Sequence, residues 1–236
     1  MEARKFAVPD TLGQQVSDAL EQQILEGVFA PGERLNADEI ASGFGVSRIP
    51  VREALRSLNA SGWVEIRPRH GAFVRRRSLI ELEDLFHVRG MLEAEAALLA
   101  APNRTDAHLR EMEEAHEDLI SANRAGDTTA TAEANSRLHH VVAEASGNVV
   151  LADLADQLAK RIRWYFATVA SYRAVHSAEE HAQIIEAVRS RDGRAAAKLT
   201  REHVARTSEL VREALRTELD AEVKTDADGS PPRVSR

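Results

Sequence analysis

The stretch from Val46 to Leu58, VSRIPVREALRSL, limits what this chain can fold into more than any other. Val51, Ala54, Leu55 and Leu58 recur at three- and four-residue spacing, which puts them on one face of a helix. Arg48, Arg52 and Arg56 then stand four apart on the other side, a cationic row facing solvent. Just upstream, DEIASGF (Asp38 to Phe44) carries Ile40, Ala41 and Phe44 on one helical face, and Gly45 supplies the backbone freedom a chain reversal needs. Ser47 follows at the N-cap position. Two short helices joined by a glycine turn read as a helix-turn-helix, with Val46 to Leu58 as its recognition helix. After it, Trp63, Val64 and Ile66 predict a strand, Pro68 and Gly71 mark a turn, and Phe73-Val74 predicts a return strand. The pair makes a winged helix whose tip is Arg67, Arg69, His70 and Gly71.

Whole-chain charge points away from nucleic acid, with 31 basic against 38 acidic residues in 236. Its distribution points back. Between Gly45 and Arg77, the residues Arg48, Arg52, Arg56, Arg67, Arg69, Arg75, Arg76 and Arg77 face only Glu53 and Glu65, a local excess of six positive charges. Residues 1–78 sum to +1 and the remainder to −8, so the cationic patch is confined to the motif. The chain has no cysteine, which rules out disulfides and thiolate metal sites. The N-terminus MEARKFAVPD has no apolar targeting core and no apolar run approaches the length of a membrane span, so a soluble cytoplasmic protein is expected.

The length suits one small and one medium domain. Residues 1–10 read as a flexible arm. In residues 11–77, a stripe from Leu12 through Val16, Ala19, Leu20, Gln23 and Ile24 adds a first helix that stops at Gly27, and Pro31-Gly32 turns the chain into Leu35. From residue 78 the strand signals cease. Leu82, Leu85, Phe86, Arg89, Leu92, Ala96 and Leu99 form a helical stripe ending at Pro102. Further helices are predicted over Thr105 to Ala125, Thr128 to Ala145 with Asp127 as its cap, Val149 to Ser171, Ser177 to Arg191 with a Ser177/Glu180 capping box, and Asp192 to Leu219. The fold class is therefore mainly α, a winged helix-turn-helix followed by an antiparallel bundle of about six helices over residues 78–219. Residues 220–236, polar and containing Pro and Gly, read as a disordered tail.

Several polar residues of the bundle occupy positions where apolar ones are expected. His139 lies beside Leu138 and Val142 with Asn135 one turn earlier, His181 begins the stripe of Ile184, Ile185 and Val188, and His203 is in line with Ala196, Leu199, Leu210 and Ala214. A single inward histidine is usually a hydrogen-bonded core residue. Three from separate helices, with an amide oxygen nearby, can hold a divalent ion. Arg89 also lies on an inward stripe, and a buried guanidinium needs a partner. That partner is either Glu93 one turn on or the carboxylate of a ligand. Arg161, Arg163, Trp164 and Tyr165 are further candidates for the wall of the same cavity.

The segments ILEGVFAPGERL, IASGFGVSRIPVREALRSLNASGWVEI and RHGAFV, in that order, resemble the GntR family of bacterial transcription regulators over about 65 residues. The resemblance implies contacts to base edges and phosphates from Ser47, Arg48, Ile49 and Arg52 on the helix and from His70 and Gly71, beside Arg69, on the wing. Asp38 departs from relatives that carry an arginine at the start of the second helix. The segment NSRLHHVVAEASGN, with His181 and His203 on the last two helices, resembles the FCD ligand-binding domain of the FadR-type branch, and six helices fit its VanR-like subgroup. That likeness implies a divalent ion, zinc with nickel or manganese as alternatives, held by Asn135, His139, His181 and His203. It also implies an effector carboxylate on Arg89. Where metal-binding relatives have an aspartate this chain has Asn135, an uncharged ligand, which leaves a metal-free cavity as the alternative.

The expected function is a ligand-responsive DNA-binding regulator: a homodimeric repressor released from a palindromic double-stranded operator by a small organic acid at the metal. A regulator that senses the metal itself, or a metal-free one, are the alternatives. A zinc hydrolase is the remote one, since no glutamate flanks a histidine as in HExxH and no other base is evident. No enzyme activity is expected.

Overall fold

The computed structural model describes residues 11–166 and 170–227. The arm 1–10 and the last nine residues of the tail lie outside the described residues. Two compact units divide the chain, Met1–Arg77 and Ser78–Arg236.

The first unit contains α1 (Leu12–Leu25), β1 (Arg34–Leu35), α2 (Ala37–Phe44), α3 (Arg48–Ala60), β2 (Val64–Arg67) and β3 (Gly71–Val74). Its core comprises Val16, Leu20 and Ile24 of α1, Ile40 and Ala41 of α2, and Val51, Ala54, Leu55 and Leu58 of α3, all buried, together with Trp63 and Val64. These are the positions whose three- and four-residue spacing required one apolar face. Gly45 ends α2 in the left-handed conformation (φ 65°), and its N–H reaches the carbonyls of Ala41 and Ser42. A side chain with a Cβ adopts that conformation only at a cost, so glycine fixes the angle between α2 and α3. The sheet has the order β1-β3-β2, all antiparallel, with Val64 opposite Val74, Arg67 opposite Gly71 and Arg34 opposite Phe73. The two-residue β1 appears where sequence reading saw only a turn leading to Leu35.

The second unit is all-helical in its described residues: α4 (Leu79–Asn103), α5 (Asp106–Ala125), α6 (Thr128–Ala145), α7 (Val149–Phe166), α8 (Ala170–Arg189) and α9 (Gly193–Ala227). Side-chain caps set several of the starts. Thr105 with His108 forms a capping box on α5, Asp127 accepts from the Ala130 N–H at 2.9 Å, and Asp192 accepts from the Ala195 N–H at 2.9 Å. The core is built on Ala97 and Ala100 of α4, Met112 of α5, Leu138 and Val142 of α6, Val188 of α8 and Ala196 of α9. Small residues on α4 let its neighbours approach closely. At Gly193 a Cβ would fall 2.5 Å from the Leu98 carbonyl oxygen, so only glycine fits there.

Three sequence expectations change. The helix α4 runs past Pro102 to Asn103, because the N–H that proline lacks is the one that would have served the Leu98 carbonyl, and Gly193 packs against that carbonyl instead. Ser177 and Glu180 do not cap a helix. They lie inside α8, which starts at Ala170, and the Glu180 carboxylate is taken by α9. Of the helix predicted from Val149 to Ser171, α7 is described as far as Phe166, and residues 167–169 lie outside the described ones. Helix α9 continues to Ala227, so Asp220 to Ala227 is helical and not part of a disordered tail.

Candidate functional site

In the helix-turn-helix, Asn36 caps α2 by accepting from the Asp38 N–H at 3.0 Å, and α3 begins at Arg48 after Ser47. Ser47 has extended N-cap angles but makes no side-chain cap bond, so its hydroxyl points to no helix N–H. The inner face of α3 is buried through Pro50, Val51, Ala54, Leu55 and Leu58, which leaves Arg48, Arg52 and Arg56 exposed on the outer one. Ile49 stands among them 69% exposed. An apolar side chain beside arginines suits a groove where guanine offers paired acceptors and thymine a methyl group. The Nε of Arg48 lies 2.5 Å from Asp38 Oδ1, an exposed pair that joins α3 to α2.

The wing turns at Arg69, whose φ of 66° is unusual for a residue with a side chain, and at Gly71 (φ 105°). Both are exposed, as is His70. A carbonyl oxygen can only accept, so the 2.9 Å contact of His70 Nδ1 to the Pro68 oxygen puts the ring proton on Nδ1 and leaves Nε2 at the tip. Arg67 is used differently. Its guanidinium stacks 4.4 Å over the Phe73 ring and pairs with Glu65 at 3.0 Å, which stiffens the wing.

In the second unit, α6, α8 and α9 bring His139, His181 and His203 together, with one ligating atom from each within 4.8 Å of the others. His181 and His203 are 1% and 2% exposed. Their Nε2 atoms are 3.3 Å apart. Two ligands of one tetrahedral zinc at about 2.0–2.1 Å stand about 3.4 Å from each other, so this pair already has the required separation. Glu180 Oε2 accepts the Nδ1 proton of His203 at 2.7 Å, and its Oε1 accepts from Arg206 Nε at 2.7 Å. The His203 Nε2 lone pair therefore faces the cluster, the carboxylate–imidazole arrangement that orients metal ligands. If His181 donates from Nε2 to that lone pair, its Nδ1 is left as a bare acceptor. That buried atom has no hydrogen-bond partner.

Arg89 is buried beside this cluster on α4, its Nε 2.6 Å from Glu93 Oε1 and its terminal nitrogen 3.3 Å from His139 Nε2. Glu93 Oε2 lies 3.2 Å from His139 Nδ1, a close approach without hydrogen-bond geometry. The internal Arg89–Glu93 pair, one of the two partners open to Arg89 in the sequence, is thus formed.

Burial disfavours the charged form of every group here. It pushes His181 well below its ordinary pKa, helped by the neighbouring imidazoles, and lowers His203 to about 4 despite the Glu180 bond. For Glu93 burial works the other way and is overcome chiefly by the adjacent Arg89 guanidinium, which holds its carboxyl well below the usual range. The result is neutral buried imidazoles beside an ionised carboxylate, the protonation states that a cation needs.

Two cavities meet at His139. One, with about 10 Å³ of free volume, is lined by Glu93, Leu138, His139, His181, Ile184 and Thr200. That is room for about one water-sized sphere. The other, about 30 Å³, is lined by Arg89, Asn135, Ser136, His139, Ile162 and Arg163. Asn135 therefore sits in the wall of the second cavity, one turn before His139.

The other α7 candidates divide by facing. Arg163 lines the cavity, whereas Arg161 ion-pairs with Glu81 of α4. Trp164 and Tyr165 are buried, and Tyr165 donates to Glu81 Oε2 at 3.0 Å while accepting from the Ser78 N–H at 3.2 Å. The sequence had not revealed the part played by Glu180. Its position next to His181, one turn from Ser177, favoured the cap reading, and the pairing with His203 depends on how α8 meets α9.

An exposed arginine face on a winged helix, followed by a helical unit with a buried histidine cluster, marks a DNA-binding transcription regulator. Comparison with known proteins gives the family. The model for bacterial regulatory proteins of the gntR family matches residues 12–74, and that for the FCD domain matches residues 84–206. Over 196 residues the chain is 31% identical to a probable D-xylose utilization operon transcriptional repressor of Paenarthrobacter nicotinovorans, covering 83% of this chain and 86% of the relative. It is 27% identical over 210 residues to the HTH-type transcriptional repressor RspR of Escherichia coli, covering 86% and 90%. The fold is similar to that of E. coli McbR/YncC, with a TM-score of 0.74 and 24% identity, covering 87% of this chain and 99% of that one. The chain belongs to the GntR family of transcription regulators, with an FCD domain as its second part. The family consists of regulators and not of enzymes. Among the described residues, no helix is long and apolar enough to cross a membrane.

Proposed function

We propose that this regulator is a homodimeric repressor whose operator affinity is set by a small organic acid bound next to a divalent ion. The ion, zinc with nickel or manganese as alternatives, is held by His139, His181 and His203, with Asn135 as a further, uncharged ligand. The observation that carries this reading is the 3.3 Å separation of the buried Nε2 atoms of His181 and His203, with His203 aligned by Glu180. When bound, the ion supplies a positive charge and open coordination positions for an anion. The protein's own groups do the rest: Glu180 fixes the His203 imidazole, and Arg89 and Arg163 line the space an acid would enter.

On the DNA side, Arg48, Arg52 and Ile49 of α3 read base edges, while Ser47, Arg69, His70 and Gly71 meet the backbone or groove. One winged helix covers a half-site, so a twofold dimer binds a palindrome. Repression is supported by relatives named as repressors. The reading is tested by selecting an operator from random duplexes and measuring its affinity with zinc alone and with zinc plus small carboxylates. Weakening by one class of acid, only when zinc is present, is the expected result. Unchanged affinity for every acid that binds contradicts it.

A second reading, in which the ion itself is the effector, is favoured by the 10 Å³ size of the cavity between the histidines. It predicts that zinc alone changes operator affinity and that carboxylates add nothing.

A further inference from the structure

Arg34 of β1 reaches the tip of a hairpin to which it does not belong. It pairs with Phe73 of β3, and the alternation of buried Leu35, Ala72 and Val74 with outward Arg34, Gly71 and Phe73 puts the last three on the outer face of the sheet. The side chain leans toward the tip: a Cβ at Gly71 would stand 3.4 Å from Arg34 Nε and 3.7 Å from its Nη2. The guanidinium therefore lies beside Gly71, next to the turn that exposes Arg69 and His70. Arg34 is itself exposed and, among the described residues, its guanidinium has no acid or carbonyl partner. The carboxylates at hand are engaged elsewhere. Glu33 Oε2 accepts from the Ala30 N–H at 2.8 Å, and Glu65 pairs at 3.0 Å with Arg67, which stacks on Phe73. Arg67 thus stiffens the wing, while Arg34 keeps its donors for a partner outside the chain.

We propose that Arg34 is a DNA-phosphate contact supplied by β1, from outside both the recognition helix and the turn of the wing. This rests on the reading above in which the wing meets DNA. A guanidinium with no acid beside it presents its whole charge to a polyanion, and its planar fork matches two oxygens of one phosphate. Its place in the strand decides what it meets. The residues at the tip reach into a groove, and a residue set back along the strand meets the backbone that borders it. Contacts of that kind fix the position of a protein on the duplex and carry no sequence information. Arg34 is therefore a positioning residue for the wing, and the nearby Arg69 and His70 are placed in the groove by it. Arg76 provides the comparison within the same unit. It is also exposed, and its Nε lies 3.0 Å from where a Cβ of Gly32 would be, but it stands past the other end of β3, beyond Val74. An effect of position separates the two arginines; an effect of charge alone does not.

The test measures binding by fluorescence anisotropy at several salt concentrations, on the selected operator and on a duplex of unrelated sequence. Wild type is compared with Arg34→Gln, Arg34→Lys, Arg69→Gln and Arg76→Gln, each checked by circular dichroism for native helix content. Arg34→Gln is expected to bind both duplexes about tenfold more weakly and to lower the slope of log affinity against log salt by about 1, the share of one phosphate contact. Arg34→Lys should keep the slope, because its charge remains, and Arg76→Gln should leave affinity and slope unchanged. Single-base changes in the operator should cost Arg34→Gln what they cost wild type. Uncharged methylphosphonate links, placed one at a time along the operator, should reveal a phosphate in each half-site whose neutralisation weakens wild type and not Arg34→Gln; a merely structural role for Arg34 does not produce that pattern. If Arg34→Gln matches wild type while Arg69→Gln is weakened, the inference is overturned and the wing reading stands. The inference is likewise overturned if Arg76→Gln lowers the slope as much, or if Arg34→Gln changes preference at one base pair with the slope intact. If neither Arg34→Gln nor Arg69→Gln weakens binding to either duplex, the wing does not meet DNA and both fall.

Discussion

Glu180 accepts the Nδ1 proton of His203 at 2.7 Å, a bond that helps tie α8 to α9 at the point where the imidazoles meet. The carboxylate is 14% exposed and the imidazole 2%. Its direction decides which nitrogen of His203 faces the cluster.

Glu180→Gln is expected to weaken zinc binding by about 10–100-fold, the usual cost of losing the carboxylate that aligns a histidine ligand. Operator affinity in the absence of zinc should not change. Chelator competition and fluorescence anisotropy check the two parts, and undiminished zinc affinity contradicts the role given to Glu180.

The histidine cluster makes the metal-free protein sensitive to acid. His203 has its pKa lowered to about 4 in the folded protein, against about 6.5 when unfolded, and His181 shifts in the same direction. Between these values the unfolded chain binds more protons than the folded one, so stability rises with pH and is flat above about 6.5. Urea unfolding of the chelator-treated protein should show stability falling from pH 6.5 to 4.5. In His203→Gln this part of the fall should shrink.

Arg52→Ala is expected to cost about 1–3 kcal/mol of discrimination against the wrong base, with the fold intact. Binding assays on the selected operator and on single-base variants read this directly. Normal affinity and unchanged base preference refute the assignment of α3 as the reading helix.

Asp38 has the opposite sign. Its carboxylate neutralises Arg48 at 2.5 Å and stands on the exposed side, where it would repel phosphates. Asp38→Asn should strengthen binding to all duplexes and steepen the salt dependence, because Arg48 then meets a phosphate or base without a competing anion. Titrations at several salt concentrations measure both effects.

Much of this architecture was legible in the sequence, for reasons that differ by element. The apolar positions of α3 and the glycine after α2 are local signals, and they predict both the helix-turn-helix and the exposed arginine row. The inward histidines were legible because each interrupts an apolar stripe. What stayed hidden depends on contacts between distant segments. The strand β1 has only two residues and exists because Arg34 and Leu35 pair with Phe73 and Ala72. Glu180 looked like a capping residue, since nothing local distinguishes a carboxylate that caps from one that reaches another helix. Arg161 and Arg163 lie two apart on α7, and periodicity alone does not say which reaches Glu81 and which lines the cavity. The polar segment from Asp220 to Ala227 continues as helix because it extends an existing one, so it needs no new nucleus.

The most direct test of the central claim is the zinc stoichiometry of the untagged protein after equilibrium dialysis, measured by mass spectrometry for wild type and His181→Ala. The account predicts one ion per chain in wild type and a clear loss in the variant at the same free zinc concentration. No bound zinc in wild type, or equal zinc in both proteins, would contradict it.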